Sequence, residues 1–314
     1  MNSPLEQLAL QPFRPGLQRL YGDRANQCLG RLAMLAGRYG SGEAPRPTAP
    51  TWTARDAVLI TYGDMVQAPD APPLAVLERF LQQHIGDAFT ILHILPFFPY
   101  SSDDGFSVIH FRKVNPDLGT WHHLEKLAGR YRLMVDLVLN HVSRQSGWFQ
   151  DFEAGVAPGR DYFITCDPAT DLSQVARPRV HPLLSPVRTR RGPAHVWTTF
   201  SADQMDLNFA NPDVLFEMLD LLLFYVSHGA QVIRLDAVAY IWKRLGTSCL
   251  HQPEAHEVVK LMRSFLDLVA PGTVLLTETN VPHAENIRYF GTGDEAHLVY
   301  QFALPPLILT ALLS

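Results

Sequence analysis

The chain has 314 residues, 47% apolar and 18% charged, which is enough to bury a sizeable core and excludes disorder for its bulk. With 26 basic and 31 acidic residues the net charge is −5, which argues against a dedicated nucleic-acid binder. The longest nearly unbroken apolar stretch, Phe302–Leu313, is about half a membrane span and carries two prolines, and the N-terminus has no basic-then-apolar signal pattern, so a cytoplasmic protein with no membrane partner is expected.

Along the chain, residues 16–38 read as one amphipathic helix with Leu17, Leu20, Leu29, Leu32 and Leu35 on its apolar face. Residues 40–50, rich in Gly, Pro and Ala, read as a linker. Strands and helices then alternate. Strands are expected over 58–62, 90–95, 133–139, 231–235, 274–277 and 297–302. Helices are expected over 74–84, 121–129, 211–228 and 255–269, and from about residue 306. Asn211-Pro212-Asp213 is a helix start, with Asn as cap and Pro at the first helical position. Strands buried on both faces and each followed by a helix imply parallel βαβ units. From about Ser146 to Gln204 the rhythm breaks into a segment rich in Pro and Arg, read as an insertion after the third strand. Cys28, Cys166 and Cys249 are odd in number and far apart, which fits neither a disulfide framework nor a zinc site.

In a parallel barrel, reactive groups collect at the C-terminal ends of the strands. Here the second strand runs into Pro96-Phe-Phe-Pro-Tyr-Ser-Ser-Asp103-Asp104-Gly105-Phe106. The third ends in Asp136-Leu-Val-Leu-Asn140-His141, the fourth in Arg234-Leu-Asp236 and the fifth in Thr277-Glu278. One acidic residue at a strand end is an ordinary helix cap or loop ion pair. Four such endings in succession, beside a His and an Arg, point to a site. Two facing carboxylates are what acetal cleavage needs, one to attack or stabilise the anomeric carbon and one to protonate the leaving oxygen. Arg234 lies two residues before Asp236, so both side chains share a strand face, and the cation is expected to keep Asp236 ionised. Glu278 has no evident neighbour in the sequence, which suits a carboxyl that holds a proton.

DLVLNH, IRLDAV and LLTETN, in that order on strands three, four and five, resemble the signature regions of glycoside hydrolase family 13, the α-amylase family. The phrasing of LPFFPYSSDDGF, RLDAVAYIWKRLGTSC, the RPR of the insertion and YQFALPPLIL is similar to the sucrose phosphorylase group. SSDDGFSVI, TFSADQMDLN and TETNVPHAEN resemble its glucosylglycerate phosphorylase branch. The resemblance implies a (β/α)8 barrel of the TIM type. About six of its eight strands lie in this sequence, in catalytic-barrel segments over 51–145 and 205–314, with an inserted domain over 146–204 and an N-terminal helix and linker over 1–50.

The resemblance also implies roles. Asp236 is the expected nucleophile and Glu278 the acid/base. Arg234 and His141 hold the nucleophile and the glucose ring, and Asp103 accepts from the far hydroxyls of glucose. Phe106, Phe200 and Tyr240 shape the sugar subsite, Gln204 completes it, and Arg179 meets phosphate. Phe106 and Phe200 also suit plain core. Asn140 matches a calcium ligand of many α-amylases, but the phosphorylase branch lacks that ion, so no metal and no cofactor is expected.

The implied activity is a retaining α-glucoside phosphorylase whose partners are an α-glucoside and inorganic phosphate. A hydrolase or transglucosidase, and an inactive sugar-binding fragment, remain as alternatives. Arg188, Arg190 and Arg191 are expected either to overhang the site and meet an anionic acceptor or to form a solvated face. The family's third carboxylate follows a His, and no His-Asp pair occurs in the chain. The chain is accordingly expected to be a piece of a longer enzyme, with open barrel edges that favour self-association.

Overall fold

Strand-forming runs and apolar helices alternate along the chain. A computed structural model, which describes residues 9–40 and 52–313, assembles them into one six-stranded parallel sheet with helices on its outer face. The chain enters through α1 (Arg14–Tyr21) and α2 (Ala25–Tyr39), where a single helix over 16–38 is expected. Gly22, at φ 55°, breaks it, and both halves bury their leucines in the main core. Of the expected linker, residues 41–50 lie outside the described residues.

Next come β1 (Val58–Thr61), α3 (Pro73–Phe80), β2 (Ile91–Ile94), α4 (Trp121–Ala128) and β3 (Arg132–Val138). The chain then leaves the sheet through β4 (His141–Ser143), α5 (Gly147–Ala154), a hairpin of β5 (Leu184–Thr189) and β6 (Gly192–Trp197), and β7 (Gln204–Asp206). Strand β7 pairs antiparallel with β4, which closes the excursion. It returns through α6 (Pro212–Ser227), β8 (Ala230–Asp236), α7 (Pro253–Val269), β9 (Val274–Thr277), α8 (His283–Asn286), β10 (Leu298–Val299) and α9 (Leu304–Leu313). Helix α6 starts as its sequence dictates, with the Asn211 side chain accepting from the Asp213 amide at 3.0 Å and Pro212 at the first position. It stops before Gly229, at φ 94°, where a Cβ would lie 2.8 Å from Ala128 of α4.

The sheet order is β1-β2-β3-β8-β9-β10, and every pairing is parallel. This is a (β/α)8 barrel with six of its eight strands among the described residues. Strands β2, β8 and β9, and β3 beyond Arg132, are buried on both faces almost throughout. Strand β1 departs from that expectation, because Val58 and Ile60 are 44% and 45% exposed and, among the described residues, β2 alone pairs with it. The last strand shrinks from the expected 297–302 to two paired residues. Helix α9 buries none of its side chains.

Parallel register stacks the inward side chains in layers, since alternate residues of each strand share a face. Ile91, Met134, Val232, Val274 and Leu276 form an apolar floor. Two residues further along their strands come His93, Asp136 and Arg234, with Asp136 opposite Arg234 in the register. Asp236 and Glu278 follow at the rim. The outward residues Leu92, Val135, Leu137, Ile233 and Leu275 pack with the helices in the main core.

Candidate functional site

Arg234 is the hub of the upper layer. Its Nη1 donates to Asp136 Oδ1 and, at 3.0 Å, to Asp236 Oδ1, and its Nη2 lies 3.9 Å from Glu278 Oε2. The guanidinium also lies over the rings of Phe106 and Tyr300, at 5.7 and 5.5 Å. Behind it, His93 Nε2 is 2.8 Å from Asp136 Oδ2, with both residues buried. Burial alone would raise Asp136, but His93 and Arg234 outweigh it and hold its carboxyl below the ordinary range.

Two expectations change here. Arg234 does not keep Asp236 in the ordinary carboxylate range. Burial, reinforced by Glu278 and Asp136, outweighs the guanidinium and pushes Asp236 up to about 7. Glu278 does have neighbours: besides Arg234, the Ala237 amide donates to its Oε2 at 3.1 Å. Ala237 itself sits in the left-handed region, at φ 51°.

The second cluster lies where β4 and β7 meet the loop after β2. Gln204 Nε2 is 2.8 Å from Asp103 Oδ2 and 3.0 Å from His141 Nε2, and His141 Nε2 is 3.1 Å from Phe106 O. Burial pushes the His141 imidazole below its usual range, which favours the neutral ring. The ring packs against Phe200 at 5.3 Å, and Phe200 meets Tyr240 edge-on at 5.2 Å. Phe106 and Tyr240 are half-buried against the main core, so these aromatics serve the packing and wall the cleft together. Burial, followed by the charge of Glu278, raises the Tyr240 phenol, while Arg179 pulls it down, which sets Arg179 within electrostatic reach of the cleft.

Arg179 itself is exposed. Its Nη1 donates to Pro178 O at 3.4 Å, and it has no carboxylate partner among the described residues. Arg177 is used differently, donating to Val180 O and His181 O to fold the loop, while the Ala176 amide ties the loop to Ser248 O at 2.9 Å. The arginine cluster lies on the hairpin of the insertion. Arg188 lies near the end of β5 opposite Pro193, Arg190 and Arg191 form the turn of the β5–β6 hairpin, and the Arg190 amide donates to Glu153 O of α5. At roughly 3.3 Å per residue the turn is about 15 Å from the Trp197 end that leads to Phe200.

Sequence reasoning missed several residues. Lys243, 5% exposed, places Nζ 2.7 Å from Asp206 Oδ2, 2.8 Å from Asn140 Oδ1 and against Tyr240 O. The oxygen of Asn140, which matches a calcium ligand of α-amylases, is thus engaged by an ammonium. Among the described residues no group of three or more His, Cys, Asp or Glu could hold a metal. Tyr62 follows β1 directly and lines a pocket with Pro96, Tyr100 and Asp104, and its phenol is raised by burial and then by the charges of Asp104, Asp103 and Asp136. The strand-end rule extended to the first strand finds it. His93, an imidazole inside a run of Ile and Leu, is visible as a polar break in an apolar strand. Lys243 leaves no such trace.

Comparison with known proteins places this geometry in context. Residues 83–311 match the family model for the alpha-amylase catalytic domain. Glucosylglycerate phosphorylase of Spirochaeta thermophila is 56% identical over 284 residues, which are 90% of this chain and 47% of that protein. Glucosylglycerate phosphorylase of Escherichia coli K12 is 50% identical over 262 residues, 83% of this chain and 47% of that protein. The solved sucrose 6F-phosphate phosphorylase from Thermoanaerobacter thermosaccharolyticum superposes with a TM-score of 0.74 at 30% identity, covering 84% of this chain and 55% of that one. The chain spans about half the length of the curated relatives it matches.

Proposed function

The chain belongs to the alpha-amylase catalytic-domain family, and from that premise we propose that its rim of strand-end carboxylates serves a retaining α-glucoside phosphorylase acting on glucosylglycerate. The observation that carries the reading is the pair of carboxylates on one buried guanidinium, with Arg234 reaching Asp236 at 3.0 Å and Glu278 at 3.9 Å. Double displacement needs two carboxyl groups facing one another about 5–5.5 Å apart, and contact of both with one guanidinium supports such a pair. It also needs a single proton between them. Burial pushes the Asp236 carboxyl up to about 7, so the site can keep a proton close to neutrality.

In the first step Asp236 attacks the anomeric carbon, the bond to the leaving oxygen breaks, and Glu278 gives that oxygen its proton. In the second step a phosphate oxygen attacks the same carbon, the bond to Asp236 breaks, and Glu278 takes back a proton. Arg234 and His141 hold the nucleophile and the ring, Asp103 and Gln204 take the far hydroxyls, and Phe106, Phe200 and Tyr240 wall the subsite. Arg179 supplies the fork for phosphate, a role that its exposure, with no carboxylate partner among the described residues, supports. The donor is chosen on the relatives at 56% and 50% identity, both glucosylglycerate phosphorylases. The three free cysteines fit a reducing cytoplasm. The open sides of β1 and β10 fit self-association.

The assay measures glucose 1-phosphate released from glucosylglycerate and from sucrose, each with inorganic phosphate at matched concentration. Faster release from glucosylglycerate is expected. Faster release from sucrose moves the chain to the sucrose phosphorylases, release of free glucose makes it a hydrolase, and binding without turnover makes it a sugar-binding protein.

A further inference from the structure

We propose that Asp203 is a positioning residue which fixes the Asp103 carboxylate for the sugar, by clamping the loop after β2 to the insertion. The proposal rests on the sugar-site reading of Asp103 and adds a residue to it. Asp203 Oδ2 collects three serine hydroxyls: Ser101 Oγ at 2.5 Å, Ser102 Oγ at 2.5 Å and Ser107 Oγ at 2.7 Å. These are the lengths of charge-assisted O–H···O⁻ bonds. A relay backs the first of them. The Gln145 amide donates to Ser143 Oγ at 2.9 Å, and Ser143 Oγ lies 2.6 Å from Ser101 Oγ, whose one proton then goes to Asp203. Both Ser107 and Ser143 are fully buried.

The clamp is needed because the segment it encloses is conformationally costly. Asp103 at φ 57°, Asp104 at φ 47° and Gly105 at φ 105° are three left-handed residues in succession. Gly105 has no alternative, since a Cβ there would meet Pro96 O at 2.7 Å. Three backbone bonds close the turn itself, Ser101 to Ser107 O at 3.1 Å, Ser107 to Ser102 O at 3.2 Å and Phe106 to Asp103 O at 3.0 Å, and Ile109 to Pro99 O at 2.8 Å closes the loop at its base. Such a conformation persists only where its surroundings over-determine it. Asp203 does so from outside the turn, and its chain neighbour Gln204 holds the Asp103 carboxylate at 2.8 Å. One dipeptide of the insertion therefore fixes both the backbone and the side chain of Asp103.

Two readouts on the intact chain test this, with Asp203→Ala and Ser102→Ala. The first is amide hydrogen exchange. In Asp203→Ala the amides of Ser101, Phe106 and Ser107 should exchange at least about tenfold faster, and in Ser102→Ala about threefold faster, with those of Ile233–Asp236 unchanged. The second is affinity for α-glucose 1-phosphate and its 4-deoxy analogue. The preference for the 4-hydroxyl should shrink by about threefold or more in Asp203→Ala, which a merely structural role leaves untouched. Unchanged local exchange, or an unchanged 4-hydroxyl preference beside faster exchange, overturns the proposal. If Asp203→Ala loosens β8 as well, Ser102→Ala decides. A wild-type chain that binds neither sugar overturns the sugar reading of the site, and the exchange rates then decide the clamp alone.

Discussion

The rim of the sheet and the RPR loop of the insertion differ in how their charges are held. Arg234 is buried and fixed by two carboxylates and two aromatic rings, whereas Arg179 is exposed and makes one long bond to a neighbouring carbonyl. The first arrangement is preorganised, because strands in register deliver the groups and little can move without unpairing the sheet. The second is adaptable, because a loop of Arg and Pro gives a cation reach without fixing where it ends. Chemistry at a sugar carbon needs the first kind of support, and capture of a mobile oxyanion tolerates the second.

The largest effect should come from breaking the rigid side. Asp236→Asn should lower glucosyl transfer by about 10⁴-fold or more, measured as glucose 1-phosphate formed, with the circular dichroism spectrum unchanged. Turnover at a normal rate would remove Asp236 from the nucleophile's role. The same substitution sharpens the comparison through stability. Asp236 is raised from an unfolded value near 4 to about 7, so the folded state binds the proton more tightly. Wild-type stability should therefore fall as pH rises from about 4 to 7, by at most about 1.4 kcal/mol per pH unit within that window. Asp236→Asn should flatten this slope in thermal melts at pH 5, 6, 7 and 8, and an equal slope in both proteins would contradict the raised carboxyl.

A middle-sized effect belongs to the adaptable side. Arg179→Ala should slow phosphorolysis by about ten- to a hundredfold and slow hydrolysis of the same glucoside by less than about threefold, since a guanidinium–oxyanion contact contributes about 1.5–3 kcal/mol. Equal losses would make Arg179 a support of the loop. The smallest effect is expected at the hairpin turn. Arg190→Ala should change stability and the glucosylglycerate-to-sucrose ratio by about twofold or less, as for an ordinary surface position. A selective loss of glucosylglycerate would bring the arginine cluster back to the acceptor.

What the sequence revealed follows the same division. Strand-end chemistry was legible because period-two alternation and parallel register are local rules: given a strand over 231–235, Arg234 and Asp236 must share its inward face. The start and stop of α6 were legible for the same reason, in Asn211, Pro212 and Gly229. The break at Gly22 was not, because an isolated Gly inside an apolar periodicity also occurs in continuous helices. The hairpin and α5 were hidden by a composition of Pro and Arg that carries no period, and with them went the true position of Arg190. Lys243 and Asp203 were illegible for a different reason. Their partners lie 103 positions away at Asn140 and 101 at Ser102, and such distances are set by the fold as a whole.

Lys243 carries one further consequence. Its ammonium joins the end of β3, strand β7 and the turn after β8 through Asn140, Asp206 and Tyr240. A free ion in that position would be an exchangeable component, with an occupancy set by its concentration and by competing chelators. A nitrogen on its own four-carbon stem is tethered and cannot diffuse away. Dilution, dialysis and chelators leave it in place, and only a change in the gene removes it from the junction.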